Sequence, residues 1–258
     1  MTEALHDHTN FPATPFPGRC VPDPQAAAAR LADLAGDGAA LEIGVGGGDT
    51  AFALADWGVP VFGIDASPEK IERLAERQPK NPETRLTVHT RHADLAHFDL
   101  GTRYPLVYAV AGAVFELASQ DDQVGCFRSA ARHLTAQGSF VVEAPVPSAW
   151  GIPSGQPQMM VSEIGEQHLA WSALVHEPVG QTVRTQEVRV GPDGYRARPG
   201  RLRYAHPSEL DLMAQLAGLQ LEERWADWAG TPVTASSTRH VSVYRPLPET
   251  GPKAGARA

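Results

Sequence analysis

Ala39-Ala-Leu-Glu-Ile-Gly-Val-Gly-Gly-Gly-Asp-Thr50 decides the fold. A short apolar run ends in spaced glycines, and an amphipathic stretch follows at once. This pattern predicts a strand, a tight turn and a helix. A side chain at Gly44 or Gly46 would keep the backbone from closing the turn and approaching a ligand. The free N–H groups at the start of the next helix suit a polar ligand. A dinucleotide turn wants a third glycine at position 49, which is Asp49 here. The register that fits is Glu42, Gly44, Gly46 and Gly48. An acid just below the turn can take a hydrogen bond from an ammonium group, whereas it would repel a pyrophosphate.

Working outward, strand 39–44 leads to a helix over 49–57, and strand 59–64 to a helix over 68–77. The second strand ends in Asp65, about 20 residues past the first glycine, the spacing at which such an acid grips ribose hydroxyls. Ser67-Pro68-Glu69 is a helix start with a capping hydroxyl and an early proline. Strands are expected over 85–90, 105–111 and 140–143. Ser119 caps a helix running to about Leu134, and Gln137-Gly138 closes that unit. Alternating strands and helices imply an α/β, doubly wound, mainly parallel sheet with helices on both faces.

The pattern breaks at Pro145. Leu169–Val175 and Gln181–Val190 alternate as antiparallel strands, and Gly191-Pro-Asp-Gly194 is a hairpin turn. A helix starting at His206 and two strands, Leu219–Trp228 and His240–Tyr244, close the chain. This gives an arm or lid over 1–24, a core over 25–145 and 206–245, an antiparallel β insertion over 146–205 after the fifth strand, and a disordered tail over 246–258. Gln25–Leu34 is an Ala-rich helix.

The order and spacing of five pieces, Leu41–Thr50, Val61–Arg77, Arg91–Leu95, Pro105–Leu117 and Ser119–Pro147, resemble the class I S-adenosylmethionine-dependent methyltransferases. The region beyond residue 115 is similar to bacterial small-molecule enzymes, the sugar N-methyltransferases and relatives of glycine N-methyltransferase. The resemblance implies S-adenosyl-L-methionine as cofactor. Glu42, Gly44, Gly46 and Gly48 would surround its methionine part and Asp65 its ribose. Ala66, Asp94 and Leu95 would lie at the adenine, with Val110 and Ala111 at the sulfonium. The insertion would cover the substrate pocket, and in some relatives it mediates dimerisation.

The chemistry is an in-line displacement, so alignment and exclusion of water matter most. A neutral amine needs no strong base; a phenol or alcohol wants one within hydrogen-bond reach. The candidate bases are Glu116, Glu143, His168 and His176, with Glu116 foremost because strand ends face the ligand crevice in this fold. Tyr108 reads as core. Trp150, Trp171, Trp225 and Trp228 are candidate pocket walls, and Trp225 and Trp228, three apart in a strand, would face opposite sides. His6, His8, His89, His92 and His97 form no ligand pattern, so no metal is expected.

The chain has 258 residues and a net charge of −8. An acidic balance without a basic run speaks against a nucleic-acid partner. No apolar run long enough to span a membrane occurs, and the amino terminus lacks signal-peptide features, so a cytoplasmic enzyme is expected. Cys20 and Cys126 form no disulfide framework, although a bond between them stays open. The expected reaction is methyl transfer to an amine nitrogen or hydroxyl oxygen of a small molecule in specialised metabolism. The expected partner is that small acceptor, and the inserted sheet has an edge that could pair in a homodimer. The alternatives are an NAD(P)-dependent oxidoreductase, disfavoured by Asp49 and Glu42, and a non-catalytic partner protein of the same fold.

Overall fold

The computed structural model describes residues 23–77, 88–147, 151 and 153–248. The arm before residue 23, Trp150, Cys20 and the tail beyond residue 248 lie outside the described residues. The first sheet contains β1 (Ala40–Ile43), β2 (Val61–Asp65), β3 (Val88–His92), β4 (Tyr104–Ala109), β5 (Leu134–Pro145), β10 (Leu219–Trp225) and β11 (Arg239–Pro246). Its order is β10-β11-β5-β4-β1-β2-β3. The pairs from β5 to β3 are parallel, and β11 and β10 run antiparallel at the far edge. The order turns back between β4 and β1, which opens a crevice at their carboxyl ends.

Period-two burial explains the two-faced sheet. Leu41, Ile43, Val107, Ala109, Phe140 and Val142 face one apolar cluster. Ala40, Leu106, Tyr108, Val110 and Val141 face the other. Both faces are covered, so the strands are apolar throughout. Helices α1 (Pro24–Ala35), α2 (Asp49–Asp56) and α3 (Pro68–Arg77) lie on the second face, with Leu31, Leu54 and Leu74 buried. Helices α4 (Gln120–Arg132) and α5 (Pro207–Leu216) lie on the first, with Phe127 and Met213 buried.

Three expectations change. The third strand is described over Val88–His92, running two residues past the expected end at 90, and residues 85–87 fall outside the described set. The fifth strand begins at Leu134, so Gln137-Gly138 lies inside it. A register irregularity against β4 absorbs the extra residues. A Cβ on Gly138 would stand 3.0 Å from the Tyr104 carbonyl, so the bare backbone permits that close approach. Finally, β10 stops at Trp225 and Trp228 sits in the following turn, so strand alternation does not separate them. Both are buried in the same apolar cluster.

The second sheet is antiparallel: β6 (Pro157–Ile164), β7 (Leu169–Glu177), β8 (Thr182–Gly191) and β9 (Gly194–Arg203), in sequential order. It is bolted to the first layer. Leu174, Val183, Leu202 and Tyr204 join the apolar cluster that contains Phe115 and Met213. Each fully buried aliphatic there contributes roughly 1.5–3 kcal/mol. A buried polar clamp adds direction. Arg203 donates to Gln123 at 2.5 Å, to Gln181 at 3.0 Å and to Glu209 at 2.7 Å. Gln123 in turn donates to the carbonyls of Arg203 and Val114. Among the described residues no helix is long and apolar enough to cross a membrane.

Candidate active site

The glycine turn joins β1 to α2. Gly44, Gly46 and Gly48 have φ of +75°, +54° and +81°, a region costly for any residue with a Cβ. A Cβ on Gly44 would also stand 2.8 Å from that of Ala113. The turn is held from β2: Asp65 is 2 % exposed and accepts the N–H groups of Gly46 and Ser67, each at 2.9 Å. From α3, Arg77 donates to Asp49 at 2.9 Å and to the Gly47 carbonyl.

Glu42 forms the floor. It is buried, and the Tyr108 hydroxyl donates to its Oε2 at 3.0 Å. Burial raises the Glu42 carboxyl from 4.5 to about 8; the Tyr108 hydrogen bond opposes this only in part. Tyr108 is therefore core, as its pattern indicated, but it also fixes the rotamer of the acid beneath the turn.

At the neighbouring strand ends, His92 contacts the Ala66 carbonyl at 3.1 Å, and Asp94 accepts the Ala96 N–H at 2.8 Å. Leu95 is buried, with Cδ1 3.8 Å from where a Gly44 Cβ would lie. Val110, the residue just after β4, is buried. Ala111 follows with φ +54°, and Gly112 with φ +78°. This elbow leads into a short 3-10 helix, Ala113–Glu116.

The candidate bases separate. Glu116 carries a half-exposed side chain at the end of that helix. Lys70 lies 3.6 Å from its carboxylate and 3.5 Å from Asp65, so one ammonium links the two acids. Glu116 also lines a cavity of about 240 Å³ between the 3-10 helix and strands β8 and β9. Glu143 is buried and accepts from Ala111 N at 2.9 Å and Trp228 Nε1 at 3.0 Å, so its oxygens are committed to structure. Burial pushes its carboxyl above the usual range, against the hydrogen bond from Ala111 and the charge of Arg239. His168 pairs with Glu163 at 2.6 Å at the β6–β7 turn, and His176 meets the Tyr204 hydroxyl at 2.9 Å. Neither histidine lines the cavity.

Lys70 is the main residue that the sequence reading missed. Its signal was a basic residue in the first turn of a helix, where the dipole disfavours a cation unless something else holds it. Glu187 and Arg198, also lining the cavity, sit equidistant from the 191–194 hairpin turn, so their pairing across β8 and β9 was readable too.

A methyltransferase-domain signature matches residues 40–138. The CcbJ methyltransferase from Streptomyces caelestis superposes with a TM-score of 0.83 at 39 % identity, over 88 % of this chain and 91 % of that one. The chain belongs to the class I S-adenosylmethionine-dependent methyltransferases. A cypemycin N-terminal methyltransferase from Streptomyces is 23 % identical over 203 residues, 79 % of this chain and 81 % of the relative. An amino pentose methyltransferase from Micromonospora echinaspora shares the fold, with a TM-score of 0.63 at 19 % identity over 85 % of this chain and 89 % of that one.

S-adenosylmethionine is thus the cofactor of this methyltransferase, and the residues present fit it. Glycines keep the turn bare, a buried acid ends β2, and an acid rather than a base lies beneath the turn. Membership replaces both the oxidoreductase and the non-catalytic alternatives. Among the described residues no group of three or more His, Cys, Asp or Glu side chains could hold a metal.

Proposed function

We propose that this methyltransferase alkylates an amine nitrogen of a small molecule in specialised metabolism. The observation carrying this is Glu116, a carboxylate opening into the cavity beside the β4 elbow, in a cavity whose lining contains no histidine. An ammonium is attracted by such a carboxylate and can lose its proton there. An alcohol holds its proton far more tightly than an ammonium and would call for a stronger base than a carboxylate already shared with Lys70. The names of the cypemycin N-terminal methyltransferase and of a sugar N-methyltransferase of the same fold from Streptoalloteichus support a nitrogen acceptor.

S-adenosylmethionine supplies, when bound, a methyl group made electrophilic by its positive sulfur. The chain's part is to hold and align. Glu42 and the turn from Gly44 to Gly48 take the methionine portion, Asp65 the ribose, and Ala66, Asp94 and Leu95 the adenine. Val110 and Ala111 border the reacting centre. Glu116 draws the amine in and takes up its proton, and the second sheet roofs the cavity and excludes water.

The test is calorimetric titration with S-adenosylhomocysteine, followed by mass spectrometry of products from matched amine and alcohol panels. Micromolar binding that Asp65→Ala abolishes, with methyl transfer to amines alone, is the expected result. Transfer to hydroxyl compounds with amines inert would overturn the nitrogen assignment. A second variant separates the roles: Glu116→Gln should lower turnover without weakening S-adenosylhomocysteine.

A further inference from the structure

The wall opposite Glu116 is charged in a way the methyl-transfer reading leaves unused. Register across β8 and β9 sets Thr185 opposite Gly200 and Glu187 opposite Arg198, so Thr185, Glu187 and Arg198 share one face. That face carries Val183 and Leu202 into the core, so it is the face turned toward the 3-10 helix. Arg201, three residues further along β9 and paired with Arg184, alternates to the opposite face, so Arg198 is the arginine of this wall. Other arginines of the second sheet are neutralised: Arg189 pairs with Glu163 at 2.5 Å and Arg203 with Glu209 at 2.7 Å. Arg198 has no carboxylate in ion-pair reach among the described residues.

We infer that the acceptor carries an anionic group, a carboxylate or a phosphate, on the same molecule as its reacting amine, and that Arg198 binds that group. The inference rests on the amine-methylating reading and names its substrate class. A guanidinium presents a planar fork of donors that matches either anion, and in a half-enclosed cavity such charge-assisted bonds are stronger than in open water. Polarity sets the direction of binding. Glu116 marks the end where the ammonium enters, and Arg198 the opposite wall. Glu187, across from Arg198, makes that wall bipolar, so a ligand with both charges gains more than a simple anion. The cavity is small, about 240 Å³, so it takes the amine and anion end of the acceptor rather than a whole bulky molecule.

The experiment uses the full chain loaded with S-adenosylhomocysteine and titrates four probes calorimetrically: 4-aminobutyrate, 3-aminopropylphosphonate, butylamine and inorganic phosphate. Both bifunctional probes should bind at least about tenfold more tightly than butylamine and than inorganic phosphate. The tighter of the two identifies the anion. Arg198→Ala should erase the advantage, whereas Arg103→Ala, a change at an exposed arginine outside the cavity, should leave it intact. Equal affinity for butylamine and the bifunctional probes overturns the inference, as does failure of all four to bind a protein that still takes S-adenosylhomocysteine. Loss of S-adenosylhomocysteine binding itself would instead strike the methyltransferase reading.

Discussion

Glu143 Oε2 accepts the backbone N–H of Ala111 at 2.9 Å, and this bond ties the segment just after β4 to the carboxyl end of β5. Ala111 has φ +54°, a conformation that costs a non-glycine residue about 1–2 kcal/mol. The Glu143 carbonyl accepts the next N–H, that of Gly112, at 3.1 Å, and Trp228 Nε1 holds the other carboxylate oxygen. One residue therefore fixes the elbow between the sheet and Glu116. Glu143→Gln keeps the volume but turns one acceptor into an NH₂ group facing a donor. It should destabilise the fold by roughly 1–3 kcal/mol in urea unfolding and weaken S-adenosylhomocysteine. Unchanged stability and affinity would show that the elbow does not depend on this bond.

Glu42 makes stability depend on pH. Burial raises its carboxyl from 4.5 to about 8. Between those values the folded chain holds a proton that the unfolded chain has released, so stability falls as pH rises through that window and levels off above it. The loss across the window is at most about 5 kcal/mol. Glu42→Gln mimics the neutral acid, so its unfolding free energy should lack this slope between about pH 5 and about pH 8. Parallel profiles for the two proteins would mean that the acid is not neutral in the fold.

The same acid predicts a proton signal on binding. An arriving ammonium favours the charged carboxylate, so near pH 7 S-adenosylhomocysteine should displace up to about one proton. Calorimetry in buffers of different ionisation enthalpy reads this number directly. Wild type and Glu42→Gln releasing the same number of protons would place the ammonium elsewhere.

Gly44 tests the turn. Its φ of +75° and the 2.8 Å approach of Ala113 leave no room for a methyl group. Gly44→Ala should cost more than about tenfold in S-adenosylhomocysteine affinity, because the β1 end and the elbow must part. Gly36→Ala is the control: its φ is also positive, but nothing lies within 4 Å of the added carbon. It should lower stability with little effect on affinity.

Local grammar made the core legible. The glycine register, Asp65, the Ser67-Pro68 start and the Ser119 cap are short-range signals, and α3 spans the expected residues Pro68–Arg77. The 191–194 turn likewise sets the β8–β9 register. What escaped depends on contacts between distant segments. Lys70 meets Glu116 across 46 positions only because two crossovers bring their strand ends together. Glu143 looked like a base because strand ends face the crevice, yet Trp228, 85 positions away, covers it. His168 and His176 were plausible by residue type alone, and their partners within the second sheet and Tyr204 decide their positions.

Arg203 is the last link between the two sheets that can be cut cleanly. It is largely buried, and its guanidinium joins Gln123 of α4, Gln181 before β8 and Glu209 of α5. Removing one partner of such a cluster leaves the others desolvated and unpaired. Arg203→Met keeps the aliphatic stem but should cost about 3 kcal/mol. The apolar contacts of Leu174, Val183 and Leu202 remain, so the sheet should stay attached but lose its angle over the cavity. The acceptor KM should then rise while affinity for S-adenosylhomocysteine changes less than about twofold, since no residue of the glycine turn touches the clamp. Comparable losses on both ligands would mean that the second sheet supports the cofactor site as well as roofing the acceptor.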